Sequence, residues 1–161
     1  MFFFLFGIGI GAALAYMLST KQWDRWSEVL LGALLTFTVG FLGLLGAFVH
    51  TFRATETARM IGFPPGNPFQ HEVAMANLAV GIVALLSYWI RGTYWVAATL
   101  VFSIYFLGCF IFHLIEYYFA GNDAPYNIGP YIWYSDLVLP LIMLTLLYIN
   151  YRKKSPYQWG L

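Results

Sequence analysis

Charged side chains are scarce in this chain. Of its 161 residues only 9% are Asp, Glu, Lys or Arg, while 61% are hydrophobic, and mean hydropathy is +0.71. Soluble domains carry roughly 25% charged residues, so a water-exposed globule of this composition lacks polar cover. The net charge is only +1 and no basic run is longer than Arg152-Lys153-Lys154, which argues against nucleic acid as a partner. Cysteine is almost absent. Cys109 stands alone in mid-segment, excludes an intramolecular disulfide, and reads as a small, buried, inert thiol.

Aromatic residues are abundant at 20%. Many fall where apolar runs end, among them Trp23, Trp26, Trp89, Tyr94, Trp95, Tyr117, Tyr118, Trp133 and Tyr134. Such placement matches the aromatic belts of a bilayer interface. Five apolar runs, at about 2–19, 28–52, 68–90, 94–119 and 130–150, each approach the ~20 residues of a spanning helix. The expected fold is therefore an all-α integral membrane bundle with five spans in one transmembrane domain over 1–161. The opening run lacks a basic start, and Ser19-Thr20-Lys21 is a poor cleavage site, so it reads as a retained first helix rather than a signal peptide.

Alternating spans collect Lys21, Arg25, Arg91, Arg152, Lys153 and Lys154 on one side, against Arg53 and Arg59 on the other. Positive charge favours the cytoplasm, which predicts an outside N-terminus, a cytoplasmic C-terminus and outside loops at about 53–67 and 120–129. Asn67-Pro68-Phe69-Gln70 predicts a helix start with an Asn cap, a first-turn proline and a capping-box glutamine. Gly7, Gly9, Gly11 and Ala15, and Gly32, Thr36, Gly40 and Gly43, mark close helix packing, within one subunit ahead of a dimer face.

The ionisable residues cluster at one predicted depth. His50 ends the second run, His71 and Glu72 open the third, His113 and Glu116 close the fourth, and Asp136 opens the fifth. Ionisable groups are costly in lipid, so such convergence marks a functional-site hypothesis. His113 and Glu116, three apart, share a helix face and suit either a shared metal ion or a hydrogen-bonded structural pair. Pro140 frees the carbonyl of Asp136, four residues back, so that position offers two oxygens to an ion or proton carrier. The ordinary alternative is a kinked helix with Asp136 paired to Arg53 or Arg59. His71 points away from Glu72 and reads as an interfacial histidine. Asn77 lies deeper and reads as an interhelical hydrogen-bonding group. Glu56 and Arg59 form a surface pair or a lid over the site. Together His113, Glu116, Glu72, Asp136 and His50 make a ligand set for Fe, Zn or Mn. No catalytic residue is assigned.

Three stretches carry a family resemblance. They are Gly62-Phe-Pro-Pro-Gly-Asn-Pro-Phe-Gln-His-Glu-Val with Asn77 and Gly81, His113-x-x-Glu116, and Asn127-x-Gly129-Pro130 through Tyr134-x-Asp136 to Pro140. Over roughly residues 45–150 the chain resembles an uncharacterised family of small multi-pass membrane proteins from prokaryotes, known only as a domain of unknown function. The resemblance implies a four-helix core with polar helix ends, joined here by the N-terminal span. It implies no activity, and it sets the expected location in a bacterial or archaeal plasma membrane.

Three functions remain open at this level. The first is a metal-dependent enzyme or redox protein acting on a lipid-soluble substrate such as a quinone, lipid or small hydrocarbon. The second is an accessory subunit packed in the membrane lipid against itself or a larger complex. The third is a haem-bearing electron-transfer bundle with His50 and His113 as axial ligands. An ion transporter ranks below these, since no comparable acidic group is evident at the opposite end.

Overall fold

In a computed structural model, which describes residues 2–153, five helices are long and apolar enough to cross a membrane. They are α1 (Phe2–Thr20), α2 (Trp23–Phe52), α4 (Phe69–Leu86), α5 (Thr93–Ala120) and α6 (Pro125–Lys153). A short helix, α3 (Ala54–Ile61), lies between α2 and α4. No strand occurs among the described residues. Lys154, the last residue of the predicted basic run, lies outside them.

The five apolar runs are the five spans, with local differences at their ends. α4 stops at Leu86 rather than near 90, because Ser87–Ile90 turn back on the carbonyls of Ala84, Leu85 and Leu86. α6 begins early with the turn Pro125–Ile128, breaks at Gly129 in extended conformation, and resumes at Pro130. Two glycines close helices in the left-handed region where a side chain is strained. Gly121 ends α5 and lets the Asn122 amide reach the Glu116 carbonyl, and Gly62 ends α3 and lets the Phe63 amide reach that of Ala58. Both are helix-terminating motifs that satisfy carbonyls otherwise left bare.

The core is apolar and central. Leu34 and Leu35 of α2, Phe102 of α5, and Leu139 and Met143 of α6 are fully buried. Large apolar side chains also face outward, including Phe4, Trp89, Ile104, Phe112 and Phe119. A helix that is apolar on all sides suits a bilayer, and the membrane assignment rests on that.

Small residues allow a close helix crossing between α2 and α4. A Cβ on Gly43 would lie 2.5 Å from the Gly81 Cα, and one on Gly81 would lie 2.8 Å from the Leu44 backbone nitrogen. Gly32 lies under the Trp95 ring, Gly40 under Leu85, and Gly9 against Thr38. The stripe on α2 is thus consumed within the subunit, whereas Gly7 and Gly11 meet nothing.

Two π-helical stretches interrupt the spans, Leu34–Gly40 in α2 and Trp133–Val138 in α6. The second has a visible cause. Pro140 lacks an amide hydrogen, and the Leu139 amide just before it reaches five residues back to the Tyr134 carbonyl. The chain absorbs its proline by widening a turn. Asp136 lies inside that turn.

Candidate functional site

Successive helices bring the ends of α2 and α5 to the starts of α4 and α6. At that end α5 supplies His113, and the first turn of α6 supplies Asn127, which is fully buried. The Asn127 amide nitrogen donates to the backbone carbonyls of Asn122 (2.7 Å) and His113 (3.3 Å). Its Oδ1 therefore faces His113 Nδ1, at 2.8 Å. An amide oxygen only accepts, so Nδ1 must carry the hydrogen, and in the neutral imidazole Nε2 is left as a bare acceptor.

That acceptor points at Asp136, 3.8 Å from Nε2 to Oδ2. Asp136 is almost completely buried. Its other oxygen lies 2.5 Å from Ser135 Oγ, and the same hydroxyl lies 2.9 Å from the Tyr131 carbonyl. One hydroxyl hydrogen cannot serve both. A carboxylate placed here is short of donors on both oxygens, and one bound proton or cation would supply what is missing.

Further polar groups extend inward from the pair. Asn77 of α4 donates to its own helix at the Val73 carbonyl (2.9 Å) and to the Tyr105 hydroxyl on α5 (3.3 Å). The interhelical hydrogen bond expected of Asn77 is present. Cys109 is a free thiol beside Tyr105.

The predicted site residues divide. His113 and Asp136 meet, and Glu116, half-buried one turn further along α5, lies within electrostatic reach of the imidazole. His50 instead pairs with Gln70, Nδ1 to Oε1 at 2.5 Å. Glu72 and His71 are exposed on the first turn of α4. Among the described residues, no group of three or more His, Cys, Asp or Glu is arranged to hold a metal ion.

Several local pairings differ from expectation. Asn67 does cap α4, accepting the Phe69 amide at 2.9 Å, but Gln70 reaches across to His50 and completes no capping box. Glu56 pairs with Arg53 rather than Arg59, a turn of α3 away on the exposed surface. Asp136 contacts the Ser135 hydroxyl and faces His113, and it makes no ion pair with Arg53 or Arg59. The opposite end also holds more polarity than the sequence suggested. Glu28 is buried in a two-pronged pair with Arg25, and Ser27 donates to the buried Asn150 (2.7 Å).

Asn127 and Gln70 orient the two inward histidines, and sequence reasoning did not give either that role. Asn127 stood in a turn-rich loop and Gln70 at a helix start, where local explanations sufficed. Their partners lie on other helices, so no spacing along the chain signals them.

No curated protein and no solved structure matches this chain. The match to a family model takes in α1 as well as the later spans: over residues 1–156 the chain belongs to a family of unknown function, DUF6790.

Proposed function

We propose that the His113–Asp136 pair is the working centre of this membrane protein, a one-proton site that acts as acid and base toward a lipid-soluble substrate. One observation carries the reading: Asn127 fixes the imidazole so that an acceptor faces a buried carboxylate, an arrangement that needs a proton between or beside the two. Purely structural polar pairs place a donor against an acceptor. A general acid or base, by contrast, must be able to take and release the proton it holds.

A substrate would arrive from the bilayer. An open hollow of about 480 Å³ on the same segment is lined by Ile128, Pro130, Trp133, Tyr134 and Val138, with neither Asp136 nor His113 in its wall. Its walls are apolar and aromatic. Widened helical turns recur at functional sites, and Asp136 occupies one.

A second reading is favoured by the separation. At 3.8 Å, Nε2 and Oδ2 are too far apart for a hydrogen bond and close to the roughly 3.4 Å between two ligands that share an ion at ~2.0–2.2 Å. A divalent Fe, Zn or Mn ion would take His113 and Asp136 as ligands, with Glu116 a further carboxylate within electrostatic reach of the imidazole.

Infrared spectroscopy and elemental analysis of the full chain in lipid separate the readings. A protonated carboxyl band that Asp136→Asn removes, in metal-free protein, is the expected result. Stoichiometric metal lost on His113→Ala would replace the proton with an ion. Neither band nor metal would reduce the pair to a structural clamp.

A further inference from the structure

A second cavity, of about 270 Å³, opens at the opposite end of the bundle, between α1, the first half of α2 and the turn from α4 to α5. We propose that it binds an acidic phospholipid, with the phosphate on Arg91 and the start of one acyl chain in the apolar part behind it.

The lining is graded. Ala12, Ala13 and Ala33 leave the void because their side chains are small, and Phe37 adds an apolar wall. The polar lining gathers toward the end of the bundle, with Tyr16, the Arg25–Glu28 pair, Ser87, Tyr88 and Arg91, and Thr36 adds one hydroxyl deeper in. Such a gradient fits an amphiphile better than a wholly polar or wholly apolar ligand.

Charge selects the head. Two arginines and one carboxylate line the cavity, leaving a single net positive charge. Glu28 is already engaged by both prongs of the Arg25 guanidinium (2.5 and 3.0 Å). Arg91 has no carboxylate within 4 Å among the described residues and lies over the Trp95 ring, 5.8 Å from its centroid. A single anionic group completes the balance. Basic pockets between spanning helices bind acidic headgroups by this means.

The walls are built before any ligand arrives. The Trp95 indole donates to the Ser87 carbonyl (2.8 Å), and its ring lies so close over Gly32 that a Cβ there would come within 2.5 Å of it. The Tyr94 hydroxyl ties the same turn to the Val83 carbonyl (2.8 Å). Fixed walls spare the cost of ordering them on binding. At 270 Å³ the space falls below the ~300–1,000 Å³ of ordinary small-molecule sites. It therefore takes a headgroup and the beginning of one chain, while the rest of the lipid stays in the bilayer.

The test uses the delipidated full chain in detergent, titrated with phosphatidylglycerol, phosphatidylcholine or inorganic phosphate and read by native mass spectrometry. Phosphatidylglycerol is expected to bind in preference to phosphatidylcholine. Arg91→Gln should weaken it roughly fivefold or more, with recovery in Arg91→Lys. Ala12→Leu, which fills the apolar part without touching the charge, should also weaken it at unchanged melting temperature. Equal binding of both lipids, or no effect of Arg91→Gln, overturns the proposal. Displacement of phosphatidylglycerol by inorganic phosphate at equal concentration also overturns it, in favour of a free-anion site.

Discussion

Asn127 and His113 are joined twice, once through the asparagine oxygen on Nδ1 and once through its nitrogen on the histidine's own carbonyl. The double contact locks both the imidazole and the loop that leads into α6, since the same nitrogen also holds the Asn122 carbonyl. Asn122 in turn donates to the Ile61 carbonyl at the end of α3 (2.9 Å). Asn127→Ala would strip partners from an imidazole nitrogen and two carbonyls at a buried point. The expected cost is about 3 kcal/mol, from partial exposure of groups that each lose ~1–3 kcal/mol when left unpaired. In ¹⁵N-histidine spectra the wild-type His113 should be the Nδ1–H tautomer, and that preference should vanish in the variant. An Nε2–H tautomer in the wild type would remove the basis of the proposed proton site.

Asp136→Asn tests whether the carboxylate serves stability or function. The replacement is nearly isosteric and brings an amide donor where Nε2 and Ser135 are short of one. Thermal unfolding in detergent should therefore occur at the same temperature or higher, although the proposed activity is lost. Natural sites commonly trade stability for chemistry in this way. A marked fall in melting temperature would mean that the charge itself holds the helices together.

Asn67→Ala and Gln70→Ala should behave differently although the residues are three apart. Asn67 caps the Phe69 amide, so its loss should cost about 1 kcal/mol through α4 alone. Gln70 holds His50 across the helix interface, so its removal should alter the His50 imidazole signals as well as stability. Unchanged His50 resonances in Gln70→Ala would contradict that contact.

The spans were legible because a bilayer imposes one rule over some twenty residues, and hydropathy reports it directly. The proline-bearing Asp136 and the His113 face were legible for a similar reason, as rare groups in apolar runs. What the chain did not disclose depends on rotation about each helix axis. Glu72 and Asp136 both lie near the starts of their apolar runs, yet one is exposed and the other buried. Helix α4 is too apolar all round for its periodicity to say which face turns inward. The buried Glu28 escaped notice because a helix-start glutamate beside arginine reads as a surface pair.

Gly43→Leu should disrupt the bundle far more than Gly7→Leu. The first would drive a side chain into the Gly81 backbone, which cannot rotate away, so α2 and α4 must separate. Overpacking of a tight site costs typically 1–3 kcal/mol, and more where backbone is the obstacle. Gly7 has open space around it and faces outward. Equal melting temperatures for the two variants would show that the α2–α4 crossing is looser than its geometry implies.

Orientation in the membrane can be tested from the same end-to-end asymmetry. Lys153 reaches the Ser27 hydroxyl (3.3 Å) and lies over the Trp26 ring (5.1 Å), so the basic end of α6 and the start of α2 share one end of the bundle. Arg25 and the Arg91 turn border one cavity there. The opposite end carries Arg53 and Arg59, with Arg53 matched to Glu56. Cytoplasmic loops retain the excess of Lys and Arg, so the basic end should face the cytoplasm and the His113–Asp136 end should face outward. With Cys109 replaced by serine, a cysteine at exposed Asp123 should react with an impermeant thiol reagent in intact cells, and one at exposed Arg91 only after permeabilisation. The reverse pattern would invert the protein, placing the proposed centre at the cytoplasmic side and the lipid cavity in the outer leaflet.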